Sequence, residues 1–190
     1  MILRRSQWIF NTSAGSSIGY GPLNSETGIF SFRDTKNESH KYAYSGFGVG
    51  RTWGLSTLLN LPKSSLPKIT IKNGELSGAG STTDFTSTGG LFLTDACKGA
   101  DLPRPESLEG GTIYLQGAGG YLLGGTGSLM FLGLSRPLLI MGIAKPEFIG
   151  IAIRSAPAAL WMAGYNEGLQ DSVGASFMFG HVDYKGLYEN

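Results

Sequence analysis

Charge is scarce in this chain, and so are the side chains that most often do chemistry. Asp, Glu, Lys and Arg make up 15% of the 190 residues, against roughly 25% in ordinary globular domains. There is one cysteine, Cys97, and there are two histidines, His40 and His181. A single cysteine excludes an intrachain disulfide and every zinc motif built on paired cysteines. The formal net charge of +1 removes any general electrostatic reason to bind nucleic acid, so no nucleic-acid partner is expected. Walker A, HExxH, CxxC and GxSxG patterns are absent. The GxG beginning at Gly117 is not completed to GxGxxG, because position 122 is Leu122. These motifs carry phosphate, metal and nucleophile chemistry, so no catalytic residue is assigned and neither a cofactor nor a metal is expected. After Arg4 and Arg5 the apolar run is too short for a cleavable signal peptide. The expected location is the cytoplasm where the chain is made, or outside it by a route needing no cleaved signal.

What the chain has instead is glycine, 30 residues of it, and aromatic side chains at 11%. Low charge with high glycine and aromatic content fits a mainly β protein. It does not fit intrinsic disorder, which needs low hydrophobicity and high charge. A length of 190 residues predicts one domain, 1–190, large enough to bury a core. Its expected parts are glycine-rich β hairpins over 1–133, an apolar helical segment over 137–164 and a closing strand over 173–184. The fold class is therefore an antiparallel sheet or barrel with a buried apolar helical insertion near 137–164.

Residues 110–135, GGTIYLQGAGGYLLGGTGSLMFLGLS, contain no charge and nine glycines. The run is long enough to cross a bilayer as a helix, which takes about 20 residues. Gly120, Gly124 and Ser128 fall at the four-residue spacing that lets helices pack closely. Each glycine, however, costs a helix about 1 kcal/mol relative to alanine, so two strands, near 112–119 and 121–132, are the expected structure. Residues 136–170 look helical. Pro137 and Pro146 suit the first turns of two segments, over 138–144 and 147–164, with Pro157 kinking or dividing the second. A helix apolar nearly all round is buried. Arg154 would then be a buried charge in need of a partner; Glu147, two turns earlier on the same face, is the other buried-charge candidate but lies too far away for a direct pair.

Elsewhere the pattern is of period two. Residues 27–34 (TGIFSFRD) and 41–50 (KYAYSGFGVG) alternate on either side of the polar DTKNES and read as a hairpin. Residues 6–11 and 90–95 read as short strands, 15–21 as a glycine–serine loop and 98–109 as a loop. Residues 68–72 lead to Asn73-Gly74, a strong hairpin turn. Tyr42, Tyr44, Phe47 and Trp53 read as core or as one aromatic surface. Lys63, Lys68 and Lys72 form a small solvated basic patch.

Among polar residues the pair His181 and Asp183 stands out, since a spacing of two puts both on one face of a strand. An acid–base pair can be built this way, but a third member is not visible. His40, beside a polar turn, reads as solvated, and Cys97 as a small buried hydrophobe. The carboxylates Asp84, Asp95 and Asp101 read as solvated loop residues.

The segments GYGPLNSETGIFSFRD, KYAYSGFGVG, STGGLFLTDA and SAPAALWMAGYNEGLQ resemble glycine-rich bacterial proteins associated with type VI secretion. The resemblance spans most of the chain by texture and brings no catalytic motif. It implies a bacterial origin and an effector or accessory role. The function expected first is therefore non-enzymatic binding or assembly, with a protein partner or self-association. A pore-forming toxin that inserts residues 110–164 into a membrane is the alternative, and an enzyme with a site around His181 and Asp183, joined by Cys97 or His40, is the third.

Overall fold

The structure, a computed structural model, describes residues 1–20, 23–49, 87–116, 127–164 and 176–188. Among the described residues, nine strands form one antiparallel sheet that curls into a half-barrel. They are β1 (Arg4–Arg5), β2 (Ile9–Tyr20), β3 (Leu23–Arg33), β4 (Ser39–Val49), β5 (Ser87–Leu93), β6 (Gly110–Gln116), β7 (Gly127–Leu134), β8 (Ala158–Gly164) and β9 (Ser176–Leu187). Their order across the sheet is β1-β5-β8-β7-β6-β9-β4-β3-β2. The Ser6 N–H donates to the Leu91 carbonyl at 2.9 Å, continuing the β1–β5 pairing, and the two edges approach each other where the ring of Phe10 in β2 lies over Gly89 in β5.

The sheet carries apolar side chains on both faces. In β7, Met130 and Leu132 point into the curl while Leu129 and Phe131 point outward, as the two-residue pleat requires. The inner layer includes Phe30, Phe32, Tyr42, Leu93 and Leu160. The outer layer joins Ile113, Phe131 and Trp161 to Leu139, Ile149 and Ile153 of the helices. Burial on both faces explains why GSLMFLGL is continuously apolar, where a strand with one wet face would alternate.

The 27–34/41–50 hairpin forms as β3 and β4, with Phe32 opposite His40 and Phe30 opposite Tyr42. The Asp34 Oδ1 closes its turn by accepting the N–H groups of Lys36 (2.8 Å) and Glu38 (2.9 Å). Asn37 takes the left-handed conformation there, φ 69°, which asparagine tolerates. Residues 15–20 are strand, not loop, because β2 continues along β3 as far as Tyr20 opposite Leu23. Both described ends of 110–135 are strand, β6 and β7, so the membrane-helix reading fails at those ends. Residues 117–126 lie outside the described residues, and with them Gly120 and Gly124. The Asn73-Gly74 turn, Trp53, Asp84, Lys63, Lys68 and Lys72 also lie outside them.

Helix α1 (Arg136–Ala144) opens with Pro137 in its first turn. A 3-10 turn, Pro146–Phe148, leads into α2 (Ile149–Ser155). The helical segment stops there. Ala156, preceding Pro157, is extended (φ −66°, ψ 122°), as steric clash with the proline ring favours. Residues 158–164 then become β8, paired on both sides with β5 and β7. The expected helix over 147–164 is corrected accordingly. The helices pack on the outside of the sheet and are buried on that side alone, with Ile140 67% and Ile151 45% exposed. Arg154 and Glu147 are also exposed, so neither is a buried charge and no pair between them is required.

Candidate functional site

The antiparallel sheet sorts the chain's connections into two ends. At one end are the β3–β4 turn, residues 94–109, the helices and the N-terminal strand. At the other end the strands run into residues 21–22, 50–86, 117–126 and 165–175. Within the strands, charge follows the same division, although the connecting segments at the other end include Arg51, Lys63, Lys68, Lys72, Glu75, Asp84, Glu167 and Asp171. Strands β2, β5, β6, β7 and β8 contain no Asp, Glu, Lys or Arg, and in β4 and β9 the charged positions are Lys41, Asp183 and Lys185, all in the half near the first end. Glu26 is the charged strand position in the other half. Every strand from β2 to β9 except β3 passes through at least nine consecutive residues without charge.

At the charged end the acidic side chains have structural duties. Asp101 accepts from the Ser6 hydroxyl (2.6 Å) and from the N–H groups of Gln7 (2.7 Å) and Leu102 (2.8 Å). Asp95 accepts from the Ile2 N–H at 3.0 Å. Arg4 donates to the carbonyls of Cys97, Gly99 and Ala100. These contacts fasten the first eight residues across the half-barrel's end. Cys97 is buried, with Sγ 3.6 Å from the Asp101 carbonyl.

His181 and Asp183 sit on the outer face of β9. Nε2 of His181 lies 2.6 Å from Asp183 Oδ1 and 2.7 Å from an Arg136 guanidinium nitrogen. One ring nitrogen cannot donate to the carboxylate and accept from the guanidinium at once, so it serves one of them at a time. The His181 hydrogen bond is the main cause holding Asp183 below the usual carboxylate range, against partial burial and with help from Lys185. Ser45 is opposite His181 in the β4–β9 register. A cleft of about 540 Å³ separates these residues from α1, walled by Arg136, Ile140, Ile143 and Phe179. A hydroxyl, an imidazole and a carboxylate therefore share one face. No hydrogen bond joins Ser45 to His181, and neither Cys97 nor His40 comes to the pair.

His40 points the other way, into the curl. It is 2% exposed, stacked on Trp8 at 5.3 Å between ring centroids, with Nδ1 3.0 Å from the Tyr184 hydroxyl. The expectation of a solvated His40 is thus corrected: as the second residue of β4 it belongs to the inward-facing set with Tyr42 and Tyr44. Tyr42 is fully buried and donates to the Pro105 carbonyl at 3.0 Å. Sequence reasoning passed over Asp34, Glu38 and His40 as a group. Their signal was the spacing DxxxExH across a tight turn.

The chain is similar to Toxin protein Tse4 of Pseudomonas aeruginosa. The two are 27% identical over 188 residues, and the match covers 94% of each chain. No family model matches the chain, and no solved structure does. A match of this breadth to Tse4 is not confined to either end of the sheet. Among the described residues, no helix is long and apolar enough to cross a membrane.

Proposed function

We propose that this protein is a secreted, non-enzymatic bacterial toxin that acts on a lipid bilayer through the uncharged ends of its strands. The observation that carries the reading is the segregation of charge along the strands. A bilayer-crossing strand takes about 9–11 residues. Seven of the eight strands β2–β9 pass through charge-free stretches of at least nine residues. Similarity to Tse4 over nearly the whole chain supports the word toxin, and the likeness to proteins associated with type VI secretion supports a delivered effector. The described core is packed with aromatic side chains, so this fold is read as the form before membrane entry. Entry is through strands and does not use residues 110–164 as a helix.

The test is release of an entrapped dye from phospholipid vesicles, with two outward-facing positions altered. Ala43 is half-buried and Ser45 exposed on the outer face of β4, both within its charge-free stretch. Ala43→Lys and Ser45→Lys should leave the fold intact. A lysine on a lipid-facing strand costs about 2–4 kcal/mol at mid-bilayer, enough to slow release more than tenfold. Vesicles that stay sealed with the unaltered protein, or that leak equally with both variants, overturn the reading.

A further inference from the structure

Asp34, Glu38 and His40 place three donor atoms within 4.8 Å of one another at the β3–β4 turn. An acidic turn alone means little. The informative atom is Nε2 of His40. The His40 side chain is 3% exposed, and this nitrogen meets Asp34 in an ion-pair contact without a well-aligned hydrogen bond. It faces Asp34 Oδ2 at 3.3 Å. That is long for a charge-assisted hydrogen bond, which runs about 2.7–2.9 Å. It matches the edge of a tetrahedral metal site instead: bonds of about 2.0–2.1 Å put neighbouring donors about 3.3–3.4 Å apart.

The surroundings are built for a ligand set. Asp34 Oδ1 is occupied by two backbone N–H groups, which fixes the carboxylate and leaves Oδ2 turned toward the imidazole. The other His40 nitrogen lies 3.0 Å from the Tyr184 hydroxyl. Such an outer partner on the second ring nitrogen is what sets the tautomer and orientation of a metal-bound histidine. Glu38 is exposed and free to swing in. Two carboxylates and a neutral imidazole carry a charge of −2, which a dication neutralises. The mixed nitrogen and oxygen set suits zinc or a similar first-row ion better than calcium or magnesium, which prefer oxygen alone.

We propose that Asp34, Glu38 and His40 bind one divalent transition ion of the zinc class, with water completing the site. The ion clamps the base of the β3–β4 hairpin at the charged end. The proposal does not depend on the membrane reading.

The test uses the full chain, stripped with EDTA and then titrated with zinc chloride by calorimetry, with thermal unfolding alongside. One equivalent of zinc should bind, and zinc at a hundred times its dissociation constant should raise Tm by about 5 °C or more. Glu38→Gln, at an exposed position, should weaken binding at least tenfold while leaving the EDTA-treated Tm unchanged. His40→Gln should abolish binding. His181→Gln, at the other histidine–carboxylate pair, should bind like the unaltered chain. Absence of stoichiometric binding, undiminished binding by Glu38→Gln, or loss of binding in His181→Gln overturns the assignment.

Discussion

Adding one methyl group at each of two glycines should move stability in opposite directions. Gly133, next to last in β7, has φ +70°, a conformation that costs alanine about 1–2 kcal/mol. A Cβ there would run into the Ser107 carbonyl oxygen and approach Pro157 Cγ to 2.9 Å. Both obstacles are stiff, one a backbone carbonyl and the other a ring, so overpacking adds about 1–3 kcal/mol. Gly133→Ala should therefore destabilise by about 2–5 kcal/mol, a large part of the 5–15 kcal/mol typical of a folded domain. Gly150, in α2, has nothing within 4 Å of its would-be Cβ. Gly150→Ala removes the entropic penalty of a helical glycine and should stabilise by about 0.5–1 kcal/mol. Tm moves by about 2–4 °C per kcal/mol at this chain length. Thermal and urea unfolding should therefore place the two variants on opposite sides of the unaltered protein, about 10 °C apart. Coincident transitions, or a Gly133→Ala protein as stable as the starting one, would refute the packing described where β7, Ser107 and Pro157 meet.

Other expectations follow from single residues. Phe32 is fully buried with the rings of Phe10, Phe30 and Tyr42 5.5–5.7 Å away, so Phe32→Ala should lower the unfolding free energy by about 3–5 kcal/mol; a loss under 1 kcal/mol would mean the inner layer is not packed as described. Burial pushes the Tyr42 phenol well above its ordinary value of 10.0 and raises that of Tyr184 as well, so an ultraviolet titration of the folded protein should withhold the Tyr42 phenol until the chain unfolds, and Tyr42→Phe should shrink the deficit between folded and counted tyrosines by one; an unchanged deficit would count against the burial of Tyr42. Asp183, with its folded pKa depressed below 3.8, stabilises above that value, and the contribution disappears as pH falls through the depressed pKa. His181→Gln should therefore flatten the stability curve below about pH 4; an unchanged acid limb in urea unfolding would count against the His181–Asp183 contact.

The legible parts of the fold were those where a local signal and the tertiary outcome agree. Alternation on both sides of DTKNES gave β3 and β4, and the proline at the start of α1 gave that helix. The misread parts were segments whose local signal admits two answers. AALWMAG is a short apolar run, which periodicity cannot assign; pairing to β5 and β7 made it strand, and Pro157 marks the end of the helix where a kink or a division into two helical pieces was expected. Gly15 to Gly19 carries loop-like glycine and serine, yet β3 supplies a partner for every residue of it. Arg154 looked buried because its segment is apolar, but the helices lie outside the sheet and leave it in water. For the polar residues, the His181 and Asp183 face could be read from a two-residue spacing. The inward direction of His40 could not, because it depends on where β4 begins relative to the turn.

The order of strands has a consequence for how the molecule comes together. β4 and β6 are not neighbours; the ninth strand in chain order lies between them and pairs with both. Until β9 arrives, the protein consists of two separate sheets, β2-β3-β4 and β1-β5-β8-β7-β6, each with an open inner edge. Assembly must wait for a partner more than a hundred residues downstream of β4, which makes closure slow and late. A nascent chain short of residue 176 therefore holds two half-sheets that meet where Phe10 of β2 lies over Gly89 of β5, and joining β4 to β6 is the work of β9.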